Sequence, residues 1–408
     1  MALELHWTGR SDLNRIGELR WRCYAAAGKD RQLFHARTAR GAWGDGDVCI
    51  AVDDGQDVGT ATSLSMHLHA RGKRVPCQGV AWVGTVKSHR RRTAGQRGVA
   101  SQVMAAMADK ARERGEIVSA LMPFRASFYS HFGYGIVERQ NVWTIPLSLL
   151  PEAPPPARWR FGSTADAPAM LACRAAQAAA GQCDVETSPP QLNEWLEGLD
   201  ADAQLFVDDR GDRVAAHAWL RESIENDTAV ANVVQPAWEN ASGMVSLLGL
   251  LRGLRDQYAT ARLALPVDVP LNWLLGEPQV PHRRVDHPAA ACRSLTRMQL
   301  RVLDPIRFLD GQALRTSVSG KVVAAVRTIE GHTTTLELSI DEGRVSAKSS
   351  SASADVVCDE ATFAALCTGA LPAAQAAALG LIDLPRPTAL PLLSALGEGP
   401  QPFCYEYF

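Results

Sequence analysis

A run of cationic residues after an apolar segment is the first place in this sequence where binding chemistry can be expected. In VGTVKSHRRRTAGQRGVASQVM an apolar strand leads into a loop with four arginines, and a helix begins close to Gly98. Unpaired amides at a helix N-terminus attract an anion, arginine adds charge, and glycine lets the anion reach the backbone. The order strand, basic loop, helix therefore predicts a pyrophosphate site.

A solvated basic turn or a nucleic-acid-binding patch would carry the same charges. The net charge of −2 gives no bulk attraction to nucleic acid, so we expect no nucleic-acid partner. The loop lacks both Gly-x-Gly-x-x-Gly and Gly-Lys-[Ser/Thr]. Dinucleotide-dependent oxidoreductases and P-loop nucleotide hydrolases are therefore disfavoured.

The second reactive stretch is SFYSHFGYG, residues 127–135, which places two phenols and two glycines among further aromatic side chains. A phenol can donate a proton, and glycine permits positive φ or the close approach of another segment. The stretch is either a shaped turn beside a pocket or a hydrophobic bend that closes a core. Taken alone, it favours the bend, because aromatic clusters pack in cores more often than they catalyse.

Composition restricts the class of protein that carries these stretches. The chain has 408 residues, of which 46% are hydrophobic and 21% charged, and its length predicts three domains. It has no apolar run of the roughly 20 residues that a membrane span needs, and its start does not resemble a secretory signal, so we expect a soluble cytoplasmic protein without a membrane partner. Nine cysteines without a Cys-x-x-Cys pair argue against a disulfide framework and a structural zinc site.

The pattern of elements predicts three units. Strand and helix signals alternate up to the proline-rich PEAPPPARWR, which indicates a first boundary. A second alternation follows in coarse outline, and the last part offers strands and then helices, as in an α+β domain. We therefore predict an α/β and α+β fold with domains at 1–150, 151–292 and 293–408.

The basic loop, the helix after it and YSHFGYG together resemble the Eis-like GNAT acetyltransferases, in which Tyr-x-x-Phe-Gly-Tyr-Gly follows an arginine-rich loop. PVDVPLNWLL, LRVLDPIRFL and PFCYEYF extend the resemblance along nearly the whole chain. The resemblance implies two tandem GNAT-like domains and a sterol-carrier-protein-like domain. It also implies a homo-oligomer, with a hexamer as the expected form. The central part of the chain has no arginine and glycine loop before its helix SGMVSLLGLL, so we expect no coenzyme A site there.

The resemblance implies that acetyl-CoA binds the first domain, without a metal ion. Here TAGQ separates HRRR from RGVA, where the family loop runs directly into its helix. The phosphate loop is therefore carried over to Arg97, Gly98 and Ala100, and provisionally to two further arginines. The backbone of two residues of VGTV should pair with the pantetheine arm. The provisional arginines are Arg91 and Arg92, and the strand residues are Gly84 and Val86.

By the same resemblance, Tyr129 is the general acid towards the coenzyme A sulfur, and the terminal carboxylate of Phe408 is the general base. The enzyme would be an N-acetyltransferase acting on a small amine, aminoglycoside-like or polyamine-like. An acyltransferase using a longer acyl-CoA and a non-catalytic binding protein are the alternatives. We further expect the glycines of SFYSHFGYG to make room for the final CYEYF, which without the family would be interpreted as a tail docked for stability.

Other candidates are weaker. His67 and His69 share a strand face at a spacing that metals use, but no third ligand is evident. His131 is expected to point away from the catalytic phenol, and Tyr134 to pack in the turn. The ordinary expectation for Glu406 is an exposed tail glutamate.

Overall fold

The computed structural model describes the chain as mixed α/β structure built on three sheets. The described residues are 3–25, 30–41, 43–90, 98–153, 157–197, 203–280, 282 and 287–408.

The first part of the chain places its helices on a long antiparallel ribbon. Its elements are β1 Glu4–Thr8, α1 Leu13–Tyr24, α2 Arg31–Arg40, β2 Val48–Asp53, β3 Gln56–Ala70, β4 Lys73–Thr85, α3 Val99–Glu113, β5 Val118–Leu121, α4 Ala126–Ser130, β6 Gly135–Ile136 and β7 Arg139–Pro146. Of the strand, loop and helix predicted around the basic residues, the strand is β4 and the helix is α3, while residues 91–97 of the loop lie outside the described residues.

The middle part of the chain repeats the alternation of strands and helices, and the last part departs from it. The middle elements are β8 Trp159–Phe161, α5 Ala167–Ala180, β9 Asp184–Val185, α6 Pro189–Leu196, β10 Ala203–Asp209, β11 Val214–Glu225, β12 Thr228–Trp238, α7 Ala241–Gly253, β13 Thr260–Pro266 and β14 Ala291–Thr296. The last are β15 Gln299–Val302, α8 Pro305–Leu309, β16 Gly320–Arg327, β17 Thr333–Asp341, β18 Arg344–Ser349, β19 Val356–Asp359, α9 Glu360–Thr368, α10 Ala373–Ala378 and α11 Leu390–Leu396.

Strands are shared between the sheets of different chain segments. The first sheet has the order β1-β2-β3-β4-β5-β15-β6, with β9 paired to β3. The second has the order β14-β7-β13-β12-β11-β10-β8, and the third β18-β17-β16-β19. Thus β7 joins the second sheet, and β15 lies between β5 and β6 of the first. The domain boundaries near residues 150 and 292 stay predictions.

The largest apolar cluster joins the first sheet to the last part of the chain. It contains Leu68 on β3, Leu300 on β15 and Leu338 on β17, all fully buried. Removing such side chains from water is the main stabilising contribution to a fold of this kind. The last domain is therefore anchored to the first by a shared core.

The two glycines of SFYSHFGYG make room for a helix of the last domain. A Cβ built on Gly135 would lie 2.1 Å from the carbonyl oxygen of Ala361, and one on Gly133, whose φ is +82°, would lie 2.2 Å from Glu360 Oε1. Both contacts belong to the start of α9. The expectation that these glycines accommodate the chain end CYEYF is wrong, because α9 already occupies that space.

We predict that Gly135→Ala lowers the free energy of unfolding by about 1–3 kcal/mol, because the new methyl group meets backbone that cannot rotate away. Gly253→Ala at the end of α7 is the matched control, since a Cβ there meets nothing within 4 Å. Urea unfolding of both variants measures the difference. Equal stability would mean that α9 shifts without cost.

Candidate active site

A gap opens in the first sheet where β4 leaves β5. The two strands pair in parallel only through Cys77, Gln78 and Gly79, opposite residues 118–120. Further along β4, Trp82 adopts φ +53°, and the register against β3 shifts by one residue between Thr60 and Thr62. A bulge of this kind bends a strand and increases its twist. It therefore accompanies the departure of β4 from its neighbour.

The end of β4 is closely covered by α1 on one face. A Cβ on Gly84 would lie 2.8 Å from Cys23 Cβ and 3.1 Å from Tyr24 Cε2. Glycine at this position is therefore needed for packing, which is a role that the sequence did not reveal.

The main chain of β4 corrects the predicted role of Val86. Its amide donates to the carbonyl of Val58 at 2.9 Å, so it is already used within the sheet. Along an antiparallel ladder, hydrogen-bonded residue pairs alternate with pairs that are not hydrogen-bonded. The peptide group of Gly84 therefore also faces β3, and that of Thr85 faces the gap. The outward direction of the Thr85 peptide could not be predicted from the sequence, since only the observed register reveals which peptide groups face away from β3.

The N-terminus of α3 lies beside this gap and has no side-chain cap. Gly98 is the N-cap residue with φ −65°, and a Cβ there would meet only Ser101 Oγ at 4.0 Å. Val99 is buried against Gly59 of β3, and Ala100 is half-buried in the first turn. The first amides of the helix therefore stay available for an anion.

Of the basic loop, the structure describes Arg90, while Arg91, Arg92 and Arg97 lie outside the described residues. Arg90 donates from Nη2 to the Cys23 carbonyl at 2.7 Å and from Nε to the Thr85 carbonyl at 3.1 Å. It thus ties the start of the loop to α1 and to β4.

Tyr129 lies on the short helix α4, buried among aromatic rings. Its ring centroid is 4.9 Å from that of Phe128, 5.6 Å from Phe124 and 6.3 Å from Tyr134. Burial, with smaller effects of Tyr134 and Tyr407, raises the pKa of its phenol far above the ordinary value. The group therefore holds its proton at neutral pH.

Tyr134, the other phenol of the motif, has a structural environment. Its hydroxyl lies 2.6 Å from Ser119 Oγ, which donates to Gln78 Oε1 at 2.7 Å. Gln78 Nε2 in turn donates to Ser63 Oγ at 2.7 Å. All four side chains are buried, and burial raises the pKa of Tyr134 to about 12. This network crosses β3, β4 and β5, and it leaves Tyr129 as the phenol next to the opening.

The chain end reaches the same gap from the last domain. The ring of Phe408 would touch a Cβ on Gly79 at 3.1 Å, and Gly79 is the last residue of β4 that pairs with β5. Its neighbour Tyr407 is close enough to raise the pKa of Tyr129. The chain end therefore brings Tyr407 close to Tyr129 and the ring of Phe408 to the last paired residue of β4.

Successive backbone amides of the tail are fixed by acceptors elsewhere in the chain. Phe403 donates to the Gln182 carbonyl at 2.9 Å, Cys404 to Glu138 Oε1 at 3.3 Å, and Tyr405 to Asp184 Oδ1 at 3.0 Å. These acceptors come from the loop before β7 and from the segment around β9. Hydrogen bonds to buried carboxylates are stronger than those between neutral groups.

Arg297 holds the other side of the tail. It donates to the carbonyls of Cys404 at 3.0 Å and Glu406 at 3.1 Å, and its guanidinium lies 5.5 Å from the centroid of Tyr407. No sequence motif distinguished this arginine, which lies in the two-residue connection between β14 and β15.

The expectation of an exposed Glu406 is wrong. Only 3% of this residue is exposed, and its carboxylate accepts a hydrogen bond from Thr187 Oγ1 and lies 3.8 Å from Arg174 Nε. The domain interface closes over the tail, so the glutamate is a further anchor.

The histidine candidates have local partners. His69 Nε2 lies 2.7 Å from Glu186 Oε1, and the exposed His131 contacts the Ser127 carbonyl through Nδ1 at 2.6 Å. Among the described residues, no group of three or more metal-ligating side chains could hold a metal ion, and this applies to His67 as well. Across the same ranges, none of the helices has the length and apolar character required to span a bilayer.

Two family patterns match the chain. Residues 8–137 match the acetyltransferase (GNAT) domain and residues 316–405 the sterol carrier protein domain. The first domain is a GNAT acetyltransferase domain. Domains of this family generally use acetyl-CoA, and the predicted class, a GNAT-type N-acetyltransferase, is confirmed at the level of the domain.

Solved structures share the whole arrangement. A GCN5-related N-acetyltransferase from Anabaena variabilis superimposes with a TM-score of 0.85 at 17% identity and covers 100% of both chains. Eis1 from Mycobacterium abscessus gives a TM-score of 0.80 at 19% identity and covers 99% of this chain and 100% of its own. These likenesses concern the fold. Together with the two family matches they confirm the predicted fold class and the resemblance to Eis-like GNAT proteins.

Curated relatives match over shorter stretches. An uncharacterized N-acetyltransferase from Streptomyces avermitilis is 31% identical over 151 residues, which are 35% of this chain and 34% of the relative. A second from the same organism is 32% identical over 96 residues, 23% of this chain and 22% of the relative. This chain thus spans about a third or less of the length of the two relatives.

We predict that Arg297→Leu frees the tail, because the carbonyls of Cys404 and Glu406 and the ring of Tyr407 all lose their contact with the guanidinium. Release of Phe408 by a carboxypeptidase should become about tenfold faster or more, in line with the loss of hydrogen bonds to a charged group. Arg297→Lys should restore part of the protection. Arg293→Leu, at an exposed position on β14, is the control. Equal release rates in all proteins would show that the tail is held without Arg297.

Proposed function

We propose that this protein is an acetyl-CoA-dependent N-acetyltransferase acting on a small amine. The observation that carries the proposal is the approach of the chain end, with Tyr407 near Tyr129 and the ring of Phe408 against Gly79, to the point where β4 leaves β5. The open first turn of α3 and the outward-facing peptide of Thr85 line the same opening and fit an anionic cofactor with an extended arm. When bound, acetyl-CoA would supply an acetyl group activated as a thioester.

In this proposal, two groups of the protein carry out the two proton transfers. The carboxylate of Phe408 accepts a proton from the acceptor amine as its nitrogen bonds to the acetyl carbon. The carbon–sulfur bond breaks, and Tyr129 gives its proton to the departing sulfur. The raised pKa keeps the phenol protonated before the reaction, and burial disfavours a free thiolate as well as a phenolate, so the departing sulfur can take the proton.

Arg97, Gly98 and Ala100 are the proposed pyrophosphate site, with Arg91 and Arg92 as further candidates. We infer that one coenzyme A binds per chain, in the first domain. Location in the cytoplasm, and assembly into a homo-oligomer with a hexamer as the expected form, belong to the same proposal.

For the cofactor site, we predict that Gly98→Ala weakens acetyl-CoA binding about tenfold while the fold stays intact. In the structure the added methyl group would meet only Ser101 Oγ at 4.0 Å, so any loss reflects closer approach by a ligand. Isothermal titration of acetyl-CoA measures the affinity and the stoichiometry. Unchanged affinity, or two molecules per chain, would contradict the proposed site.

For the general acid, Tyr129→Phe should lower kcat by about 10²–10⁴-fold with little change in acetyl-CoA affinity, because it removes one proton donor and almost no volume. Thiol release with an amine panel reports turnover. Tyr134→Phe is the matched comparison, as it removes a phenol from the buried network. If Tyr134→Phe abolishes turnover and Tyr129→Phe does not, the acid has been assigned to the wrong ring.

For the chain end, appending a few residues after Phe408, or deleting it, should reduce turnover by about 10²-fold or more and leave acetyl-CoA binding nearly intact. The carboxylate can act only if it is held within hydrogen-bonding reach of the amine. An N-terminally extended protein is the control. A normal kcat in the C-terminally extended protein would contradict the proposed role of the carboxylate. Binding of acetyl-CoA without turnover of any amine would favour a non-catalytic binding protein.

A further inference from the structure

The second sheet repeats, with the same spacing, the parting of strands seen in the first. β12 pairs in parallel with β13 only through residues 230–232. Three residues later Gln235 adopts φ +46°, and the register against β11 shifts after His217. In the first sheet the parallel pairing ends at Gly79, and the bulge follows three residues later at Trp82. The second sheet therefore keeps the bend that turns a strand away from its neighbour.

The helix that follows this bulge has a capped N-terminus, in contrast to α3. Asn240 is the N-cap residue of α7, and its side chain accepts hydrogen bonds from the amides of Ser242 at 2.9 Å and Gly243 at 3.2 Å. Two of the amides that could bind a phosphate are thus already paired. A ligand of the second sheet would have to be held by other groups.

A cleft lies beside the bulge, on the face of the second sheet that α5 and α6 cover. It has about 300 Å³ of space, including its open mouth. Trp195 on α6 and Trp219 on β11 line it with ring centroids 5.8 Å apart, and Met170 and Leu192 add apolar surface. An apolar cleft that also holds a few polar groups is typical of small-molecule sites.

His217 lines this cleft with both ring nitrogens unpaired. The residue is 3% exposed, and neither Nδ1 nor Nε2 has a hydrogen-bond partner among the described residues. Burial and the charge of Arg174 lower the pKa of the ring to about 3, although the backbone of Met170 opposes the shift, so the ring is neutral at pH 7. A neutral imidazole has one N–H donor and one acceptor nitrogen, and leaving both unused in a buried place costs free energy. The ring therefore lacks a polar partner that the protein itself does not provide.

Two side chains of opposite charge complete the lining of the cleft. Arg174 is 4% exposed, and its two terminal nitrogens donate to Asp184 at 2.7 Å and 2.6 Å. Its Nε is unpaired and lies 3.8 Å from Oε1 of Glu406, which is bound to Thr187. With one charge of each sign, the lining favours neither a cation nor an anion, and an ion would also have to give up its water.

We propose that this cleft is a binding site for a small, neutral heteroaromatic ligand that has both an N–H donor and an acceptor nitrogen. Its ring would pack against Trp195 and Trp219, its N–H would donate to His217, and its acceptor nitrogen would receive the Nε hydrogen of Arg174. The site is separate from the proposed acetyl-transfer site and does not depend on that function.

The cleft also meets the chain end. Glu406 forms part of its lining, and the next two residues, Tyr407 and Phe408, reach the gap beside β4. A ligand bound next to the Glu406 carboxylate makes contacts that exist only while the tail is docked. Its binding therefore stabilises the docked tail, because a ligand favours the conformation that binds it more tightly.

The test uses indazole, which is neutral and has both kinds of nitrogen, and indole, which has the same shape and lacks the acceptor nitrogen. Isothermal titration of the full-length protein measures both affinities. We expect indazole to bind about tenfold more tightly than indole or better, as for one hydrogen bond to a charged group. In protein labelled with ¹⁵N in histidine, indazole should shift the ring signals of His217, which are identified by their loss in His217→Phe.

His217→Phe keeps the ring and removes both nitrogens. It should abolish the preference for indazole over indole, and it should leave the thermal midpoint of the ligand-free protein unchanged or higher, because no hydrogen bond is lost. His332→Phe, at an exposed position between β16 and β17, is the matched control and should change neither quantity. Release of Phe408 by a carboxypeptidase should become severalfold slower with saturating indazole, and the same concentration should have no effect on His217→Phe.

The outcomes separate a ligand site from a merely structural histidine. No detectable binding of indazole, or a preference over indole that survives His217→Phe, would overturn the inference. A lower thermal midpoint of His217→Phe without any binding of indazole would show that a buried water satisfies the ring, and it would overturn the inference as well. If indazole binds through His217 but the release of Phe408 is unchanged, the link to the tail is wrong and the binding site stands.

Discussion

The parting of β4 from β5 is the constraint on which the rest of the site depends. Parallel pairing ends at Gly79, and the bulge at Trp82 turns the remaining strand away from its neighbour. The main chain beyond that point is left with peptide groups that no strand satisfies, which is costly unless water or a ligand pairs with them. The open turn of α3 lies next to this opening. A cofactor with an extended arm and an anionic end is the kind of molecule that satisfies both.

The tail completes the site because the last domain is built into the first. Strand β15 lies inside the first sheet, α9 packs on the turn after α4, and one apolar core spans both segments. The chain end therefore approaches the gap from a body that cannot drift away from it. A terminal residue is otherwise among the most mobile parts of a domain. Here the amides of residues 403–405 and the carbonyls bound by Arg297 fix the tail nearly to its end.

Buried charged side chains hold the tail in place, and burying them costs free energy. Burial raises the pKa of Glu138 to about 7 and also raises that of Glu406, although arginines oppose both shifts. Removing one member of such a network destabilises the fold by more than the intact network stabilises it, because the remaining buried charge is left without a partner. The network therefore contributes to the definition of one tail conformation more than to overall stability, and the role proposed for the Phe408 carboxylate requires that definition.

The sequence by itself determined the local part of this protein. Strand, basic loop and helix around Gly98, the phenols of SFYSHFGYG and the aromatic end could be interpreted from nearby residues, since turns, caps and periodicity depend on neighbours in the chain. Tertiary structure alone decided which peptide of β4 faces the gap, that α9 fills the space beside Gly133 and Gly135, that Glu406 is buried, and that Arg297 holds the tail. Each of these depends on segments more than a hundred residues apart or on strand register, and no local pattern records which distant surface will pack against a given residue.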